Sequence, residues 1–478
     1  MTLPPAEKLP LRIKIGHGIG SVVYGVKDNG FSVLLMLFYN QALGLDAGTI
    51  GLILLIALLM DAMIDPLVGY WGDKTHSRWG KRHPWLYASI IPMALCWVML
   101  WHPIATTAAM QYLHLFIFAF LMRASVSCFE VPSLSIVPAL SADYDERTSI
   151  TRWRFLCAWS GGLTMVVLAF SVFLMPEPGY PVGQLNVNGY ARYGVTGAIL
   201  IIAAALVSAL TTHNRLARLP ELPPTHVALR AAIREAAETL TNRPAVTLLT
   251  SSLFTYINFG MSFSITVYLL NFYWELPQSG FLAYSASLFI GVVAAFLLVG
   301  IMQSRTEKRT GAAIAGIAGV TISVLPYFLR LFGVFPENGS PALIPALFTL
   351  ITVGNAFAVC ATILGQSMGS DVIEAIQAQT GRRSEGVFFA GYFFVQKCAT
   401  GLGLFITGTI ISLSGFPNQA KPGDVAPAVL DHLVTYYLLV LAVCATASIT
   451  AISRFPITRA DHQRRLRQLG VTSAESGN

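Results

Sequence analysis

Charge is unusually sparse in this sequence. Asp, Glu, Lys and Arg make up 12% of its 478 residues, about half the share usual in soluble chains. Apolar runs fill the space instead, with 54% of residues hydrophobic and a mean hydropathy of +0.62. That balance excludes a soluble globular domain and indicates a polytopic membrane protein. Cysteine is scarce too: Cys96, Cys128, Cys157, Cys360, Cys398 and Cys444 all lie in apolar segments without metal-ligand spacing, so neither a disulfide framework nor a metal site is expected. The amino-terminal stretch lacks an early hydrophobic core with a small-residue cleavage site, so the first span is expected to do the targeting. No nucleophile–base pair or metal cluster emerges; neither an enzyme nor a cofactor is expected. A formal net charge of +7 and a pI near 9.1 would fit a nucleic-acid partner. The Lys and Arg residues, however, cluster in short loops between apolar runs, as juxtamembrane anchors do.

Twelve windows are long and apolar enough to cross a bilayer, at 16–42, 47–71, 84–102, 112–140, 153–174, 193–212, 246–273, 280–302, 311–332, 342–369, 385–414 and 430–453. The polar, Pro-interrupted region between them divides the twelve into six and six. The expected organisation is a six-helix bundle over 1–212, a linker over 213–245 with a short surface helix, a second bundle over 246–453, and a basic tail over 454–478. Most of the Lys and Arg fall in loops on the terminus side, whereas the opposite loops hold Arg192 and Lys421, with Arg330 close by. Both termini are therefore expected to be cytoplasmic.

Against this apolar background a few charges stand out. Asp61 and Asp65 lie one helical turn apart after the run LILLIALLM, where an ionised group costs several kcal/mol unless partnered. Their i, i+4 spacing puts them on one face, able to converge on one small cation. A basic, Gly-containing loop follows directly, and the combination points to a cation-coupled membrane transporter. Lys397, in GYFFVQKCATGLG, is too deep in the eleventh span to snorkel and needs an anionic partner. Arg123, Ser127 and Glu130 fall at i, i+4 and i+7 on one stripe of the fourth span. The halves also rhyme: GYWGDKTHSRWGKR follows the second span and GSDVIEAIQAQTGRRSEG the tenth. Two related six-helix halves describe the major facilitator architecture, an all-α membrane fold with its sites near the midplane.

The element Asp61, Asp65, Pro66, Gly69, followed by SRWGKRHPW from Ser77, resembles the signature of the glycoside-pentoside-hexuronide cation symporters, the melibiose permease group. Val131–Pro132, Glu146 to Thr148 with Arg154, and Thr380 to Gly386 with Lys397 extend the likeness over roughly 14–415. The resemblance implies uptake of a sugar, glycoside or uronate driven by sodium or protons, in a multi-pass inner-membrane protein. It further implies that Asp61 and Asp65 bind the cation with help from Ser127, and that Lys397 projects towards them and links the halves. Glu130 takes the acidic sugar-binding position and Arg154 supports it. The chain departs from the pattern in three places: Ile64 replaces an amide, Leu134 replaces a stacking Trp, and Gly25 stands where a sugar-binding aspartate is expected. Asp28 or Lys27, nearly a turn further on, are candidates for that lost role, Lys27 towards an anionic substrate; Arg123 fits either the substrate or an interhelical bridge. Asp73, Arg78, Lys81 and Arg82, with Asp371, Arg382 and Arg383, are expected as gate latches. A monomer working with a small-molecule substrate, a monovalent cation and the bilayer is expected. A lysolipid transporter and a non-transporting sensor are the alternatives.

Overall fold

The computed structural model describes residues 9–104, 106–141, 144–216, 238–380 and 385–457. The linker helix and basic tail expected from the sequence fall largely outside the described residues. Eleven described helices are long and apolar enough to cross a membrane. The first of the twelve expected spans is also present, but as an interrupted helix: α1 (Leu11–Ile19), α2 (Val22–Asn29), a π-helical stretch (Gly30–Leu34), the single turn α3 (Leu35–Leu37), and a second π-helical stretch (Phe38–Ala42). The other eleven spans are α4 (Ala47–Lys74), α5 (His83–Trp101), α6 (Ala108–Leu140), α7 (Tyr144–Leu168), α8 (Val187–Leu216), α9 (Arg243–Tyr268), α10 (Gln278–Arg305), α11 (Lys308–Leu331), α12 (Leu343–Thr380), α13 (Glu385–Leu413) and α14 (Pro427–Ser453), the fifth and seventh spans ending in π-helical stretches at Ala169–Phe173 and Leu269–Tyr273.

The first two segments of this span pack closely on α7. A Cβ added to Gly18 would meet the Trp153 backbone at 3.0 Å, and one added to Gly25 would lie 1.9 Å from the Ala158 carbonyl oxygen. The first span thus seats backbone against backbone on α7, which only glycine allows. Interruptions of this kind in a helix are often functional.

The residues form two compact units. The first takes Met1–Pro224 together with Phe263–Tyr273 and Leu404–Val429; the second takes Thr225–Ser262, Trp274–Gly403 and Leu430–Asn478. In the first, α2 packs on α7, α4 on α6, and α5 on both α6 and α8. Its core is aromatic: Trp97, Trp101, Tyr190 and Tyr193 are fully buried, Trp101 stacks on Tyr190 at 5.9 Å, and the Tyr39 hydroxyl donates to the Leu100 carbonyl at 2.9 Å. In the second, α12 packs against α10 and α11. There the Thr255 and Ser448 hydroxyls join α9 to α14 at 2.7 Å.

Candidate functional site

The carboxylate pair is built on α4, where Pro66 sits inside the helix. Proline has no N–H to give the Ala62 carbonyl, so the ladder is interrupted beside the pair. Asp61 is buried and Asp65 half-buried. From α6, the Ser127 hydroxyl oxygen stands 2.8 Å from Asp61 Oδ1 and 2.6 Å from Asp65 Oδ1. Arg123, one turn earlier and also buried, donates from Nε to Asp61 Oδ2 at 3.2 Å. The Phe31 ring lies 5.1 Å beneath its guanidinium and orients it by cation–π attraction.

A second network begins one turn further along α6. Glu130 Oε1 accepts from Arg154 Nη2 at 2.6 Å, and Arg154 Nη1 donates to Ser133 Oγ at 2.7 Å. Its third contact was not anticipated from the sequence: Arg154 Nη1 lies 3.2 Å from His17 Nε2 on α1. A guanidinium only donates, so His17 accepts at Nε2 and carries its proton on Nδ1. That Nδ1 and Glu130 Oε2 are buried polar atoms without a hydrogen-bond partner in the described structure. Buried polar groups normally find partners, and Glu130 Oε2 is an acceptor that no described residue uses. The stripe of Arg123, Ser127 and Glu130 therefore divides, its first two members serving the aspartate pair and its third serving Arg154.

On α2, Lys27 is buried, 3.8 Å from Asp28 and 4.4 Å above the Tyr24 ring. Leu134 is 48% exposed. Lys397 is half-buried on α13, in the second unit. Among the expected latch residues, Arg78 is exposed with its guanidinium 5.5 Å from the Trp79 ring, and Arg82 lies against Gly72. Lys81 is half-buried. Asp371 is held by Lys308 of α11 at 2.7 and 2.9 Å, within the second unit. The Asp73 side chain, Arg382 and Arg383 lie outside the described residues.

Comparison with known proteins bears on this arrangement. The family model described as MFS/sugar transport protein matches residues 16–459. The inner membrane symporter YicJ of Escherichia coli K12 is 24% identical over 453 residues, covering 94% of this chain and 92% of YicJ. The putative glycoside/cation symporter YagG of the same organism is 24% identical over 479 residues, covering 98% and 97%. Among solved structures, the inward-open xylose transporter XylE from E. coli superposes with a TM-score of 0.63 at 12% identity, covering 96% of this chain and 99% of that one.

Proposed function

The chain belongs to the MFS/sugar transport protein family, and from that premise we propose that it is a symporter coupling inward movement of a cation to uptake of a sugar, glycoside or uronate. Family membership makes it a multi-pass membrane transporter of the major facilitator fold and not an enzyme. The finer reading is carried by one observation: Ser127 bridges Asp61 and Asp65 at hydrogen-bond distance within a span. Buried oxygens converging in this way can hold a small cation or share a proton.

In this reading Asp61, Asp65 and Ser127 bind the coupling ion, either a proton or sodium. Glu130, steadied by Arg154, accepts from substrate hydroxyls, with Asp28 and Lys27 contributing around it, while Arg123 takes the interhelical-bridge role on Asp61. Lys397 competes with the ion for the aspartates and so links ion occupancy to closure. Asp73, Arg78, Lys81, Arg82, Asp371, Arg382 and Arg383 act as latches in the loops, with both termini cytoplasmic. The names of similar proteins support a sugar-like cargo, since they include an isoprimeverose transporter and a glucuronide carrier homolog.

Uptake into membrane vesicles, measured over glycosides, pentosides, uronates and lysolipids with sodium and proton gradients imposed separately, tests the proposal. Saturable, gradient-driven sugar uptake that disappears in Asp65→Asn is expected. Energised uptake confined to lysolipids, or absence of counterflow for every cargo, would overturn it.

A further inference from the structure

We propose that His17 and Ser21 contact the substrate directly and that, with Glu130, they form a site for two neighbouring hydroxyls of a sugar ring. This rests on reading Glu130 as the substrate carboxylate, and it names the groups that share the substrate with it.

The break between α1 and α2 frees the Ser21 hydroxyl. In a continuous helix a serine can donate to the carbonyl four residues back, which here is that of His17. That carbonyl already accepts from the Gly20 amide at 3.2 Å and from Ser208 Oγ of α8 at 3.3 Å, so both its lone pairs are taken. Ser21 is also the N-cap of α2, but its φ of −73° and ψ of −9° are helical and its side chain makes no capping bond. A capping serine normally has extended backbone. The hydroxyl is therefore left without a hydrogen-bond partner among the described residues, in a side chain whose residue is 3% exposed.

His17, on the preceding turn, is committed at one nitrogen. Its Nε2 accepts from Arg154 Nη1 at 3.2 Å, which puts the ring proton on Nδ1 and makes that N–H a donor. His17 is 1% exposed, and Nδ1 too has no partner among the described residues. The same guanidinium holds Glu130 Oε1 at 2.6 Å and leaves Oε2 as a buried acceptor. Ser133, 2.7 Å from Arg154 Nη1, helps to fix the frame that carries both the histidine and the carboxylate. Donor, acceptor and hydroxyl are thus gathered around one arginine, where buried polar atoms would ordinarily be paired with one another.

Hydroxyls suit this set. A hydroxyl both donates and accepts, so one can give its hydrogen to Glu130 Oε2 while the oxygen of its neighbour accepts from His17 Nδ1–H, with Ser21 serving either. A carboxylate, sulfonate or phosphate offers lone pairs and would set them against Glu130 Oε2. The acyl chain of a lysolipid would leave every one of these atoms unpaired, each a buried polar group without compensation. The same site answers the loss at Gly25. A side chain there would strike the Ala158 carbonyl, so the first span contributes from Ser21 and His17 instead.

The test measures binding and needs no transport. Purified full-length protein in detergent is titrated calorimetrically with the methyl β-glycosides of xylose, glucose, galactose and glucuronate, then with the monodeoxy analogues of the tightest binder. One deoxy analogue should bind wild type about three- to tenfold more weakly than its parent, the loss of a net hydrogen bond. His17→Gln keeps an acceptor for Arg154 but lacks Nδ1–H, and Ser21→Ala lacks the hydroxyl. Each should bind the parent about as weakly as wild type binds a deoxy analogue, and should no longer distinguish the two. Ser21→Ala should unfold no lower than wild type without ligand, since it breaks no bond. If Glu130→Gln weakens glycoside binding while His17→Gln and Ser21→Ala leave it unchanged, the inference falls and the reading of Glu130 stands. Losses on deoxygenation that stay the same in the variants as in wild type overturn it too, because the residues then act through packing. If none of the glycosides binds wild type, the sugar reading fails together with the inference.

Discussion

Gly25 shows how one residue can bar a familiar solution. Its backbone lies so close to α7 that an added Cβ would come 1.9 Å from the Ala158 carbonyl oxygen and 3.0 Å from the Gly162 amide. An aspartate cannot stand there unless α2 moves off α7, so any sugar-binding carboxylate on the first span has to come from elsewhere, and Asp28 is the nearest along α2. Gly25→Ala should destabilise the protein by about 1–3 kcal/mol, the usual cost of overpacking, and Gly25→Asp by more; thermal unfolding in detergent measures both. His17 is the complementary case, a residue that matters through what it holds. By accepting from Arg154 Nη1 it helps fix the guanidinium on Glu130. His17→Ala should therefore raise the KM for substrate while leaving the ion dependence of transport unchanged, and His17→Gln, whose carbonyl can still accept, should recover part of the loss. Uptake kinetics would separate this from a general folding defect, which lowers the amount of active protein without moving KM. Helical spacing made it legible that Asp61 and Asp65 share a face and that Arg123, Ser127 and Glu130 share a stripe. Spacing does not name the partner across a helix interface, so Arg123 was equally compatible with substrate. A lone histidine in an apolar run carries no pattern at all, which is why His17 emerged only from the structure.

At the scale of elements, the other eleven spans were legible because an unbroken apolar stretch of about 20 residues has few alternatives in a bilayer. The first span was legible as a crossing but not as a broken one. Gly18 and Gly25 seat its first half against α7, and nothing within the first span announces what lies opposite. Where α4 begins, local chemistry is explicit. Asp46 is its N-cap, accepting from the Thr49 amide at 2.7 Å and the Thr49 hydroxyl at 2.8 Å, with Ser412 Oγ at 3.2 Å from its other oxygen. Partial burial pushes this carboxyl up, but the hydrogen bonds outweigh it and hold the group below its ordinary value of 3.8. A depressed carboxylate contributes stability above its ordinary value, and the contribution is lost as pH falls through the lowered one. Asp46→Ala should cost about 1 kcal/mol near neutral pH, as loss of an N-cap does. The difference from wild type should shrink in the acid limb below pH 3.8, which unfolding curves in detergent at several pH values would show.

For the molecule as a whole, the first compact unit is not one stretch of sequence, since it gathers Phe263–Tyr273 and Leu404–Val429 around the first six spans. A buried amide cluster accounts for this. Asn40 donates to the Leu45 carbonyl at 2.7 Å and to Asn418 Oδ1 at 2.9 Å, and its own oxygen accepts from Gln41 at 2.6 Å and from the Tyr268 hydroxyl at 2.9 Å. Gln41 in turn donates to the Pro417 carbonyl at 3.2 Å and accepts from the Ala420 amide at 2.8 Å. Asn40 and Gln41 are 0% and 1% exposed, and at that burial every amide bond lost without water to replace it is costly. Glycine makes the approach close: a Cβ on Gly408 would lie 2.2 Å from the Ala47 carbonyl oxygen, and one on Gly51 would lie 3.0 Å from the Phe405 Cα. These contacts join the ends of the first, seventh and eleventh spans, which run in the same direction and therefore end on the same membrane face, opposite the amino terminus. A symporter working by alternating access has to part them to open on that face. Fixing them shut should consequently stop transport without unfolding anything. Asn40→Cys with Asn418→Cys, whose native side chains touch, should form a disulfide under mild oxidation, arrest uptake, and recover it on reduction, while each single variant stays active after the same treatment. Asn40→Ala should act in the opposite sense, raising the reactivity of a cysteine at Gln41 towards a membrane-impermeant thiol reagent added from that face. Crosslinked protein that still transports at the uncrosslinked rate would mean that this cluster is static packing and that the barrier on this face opens elsewhere.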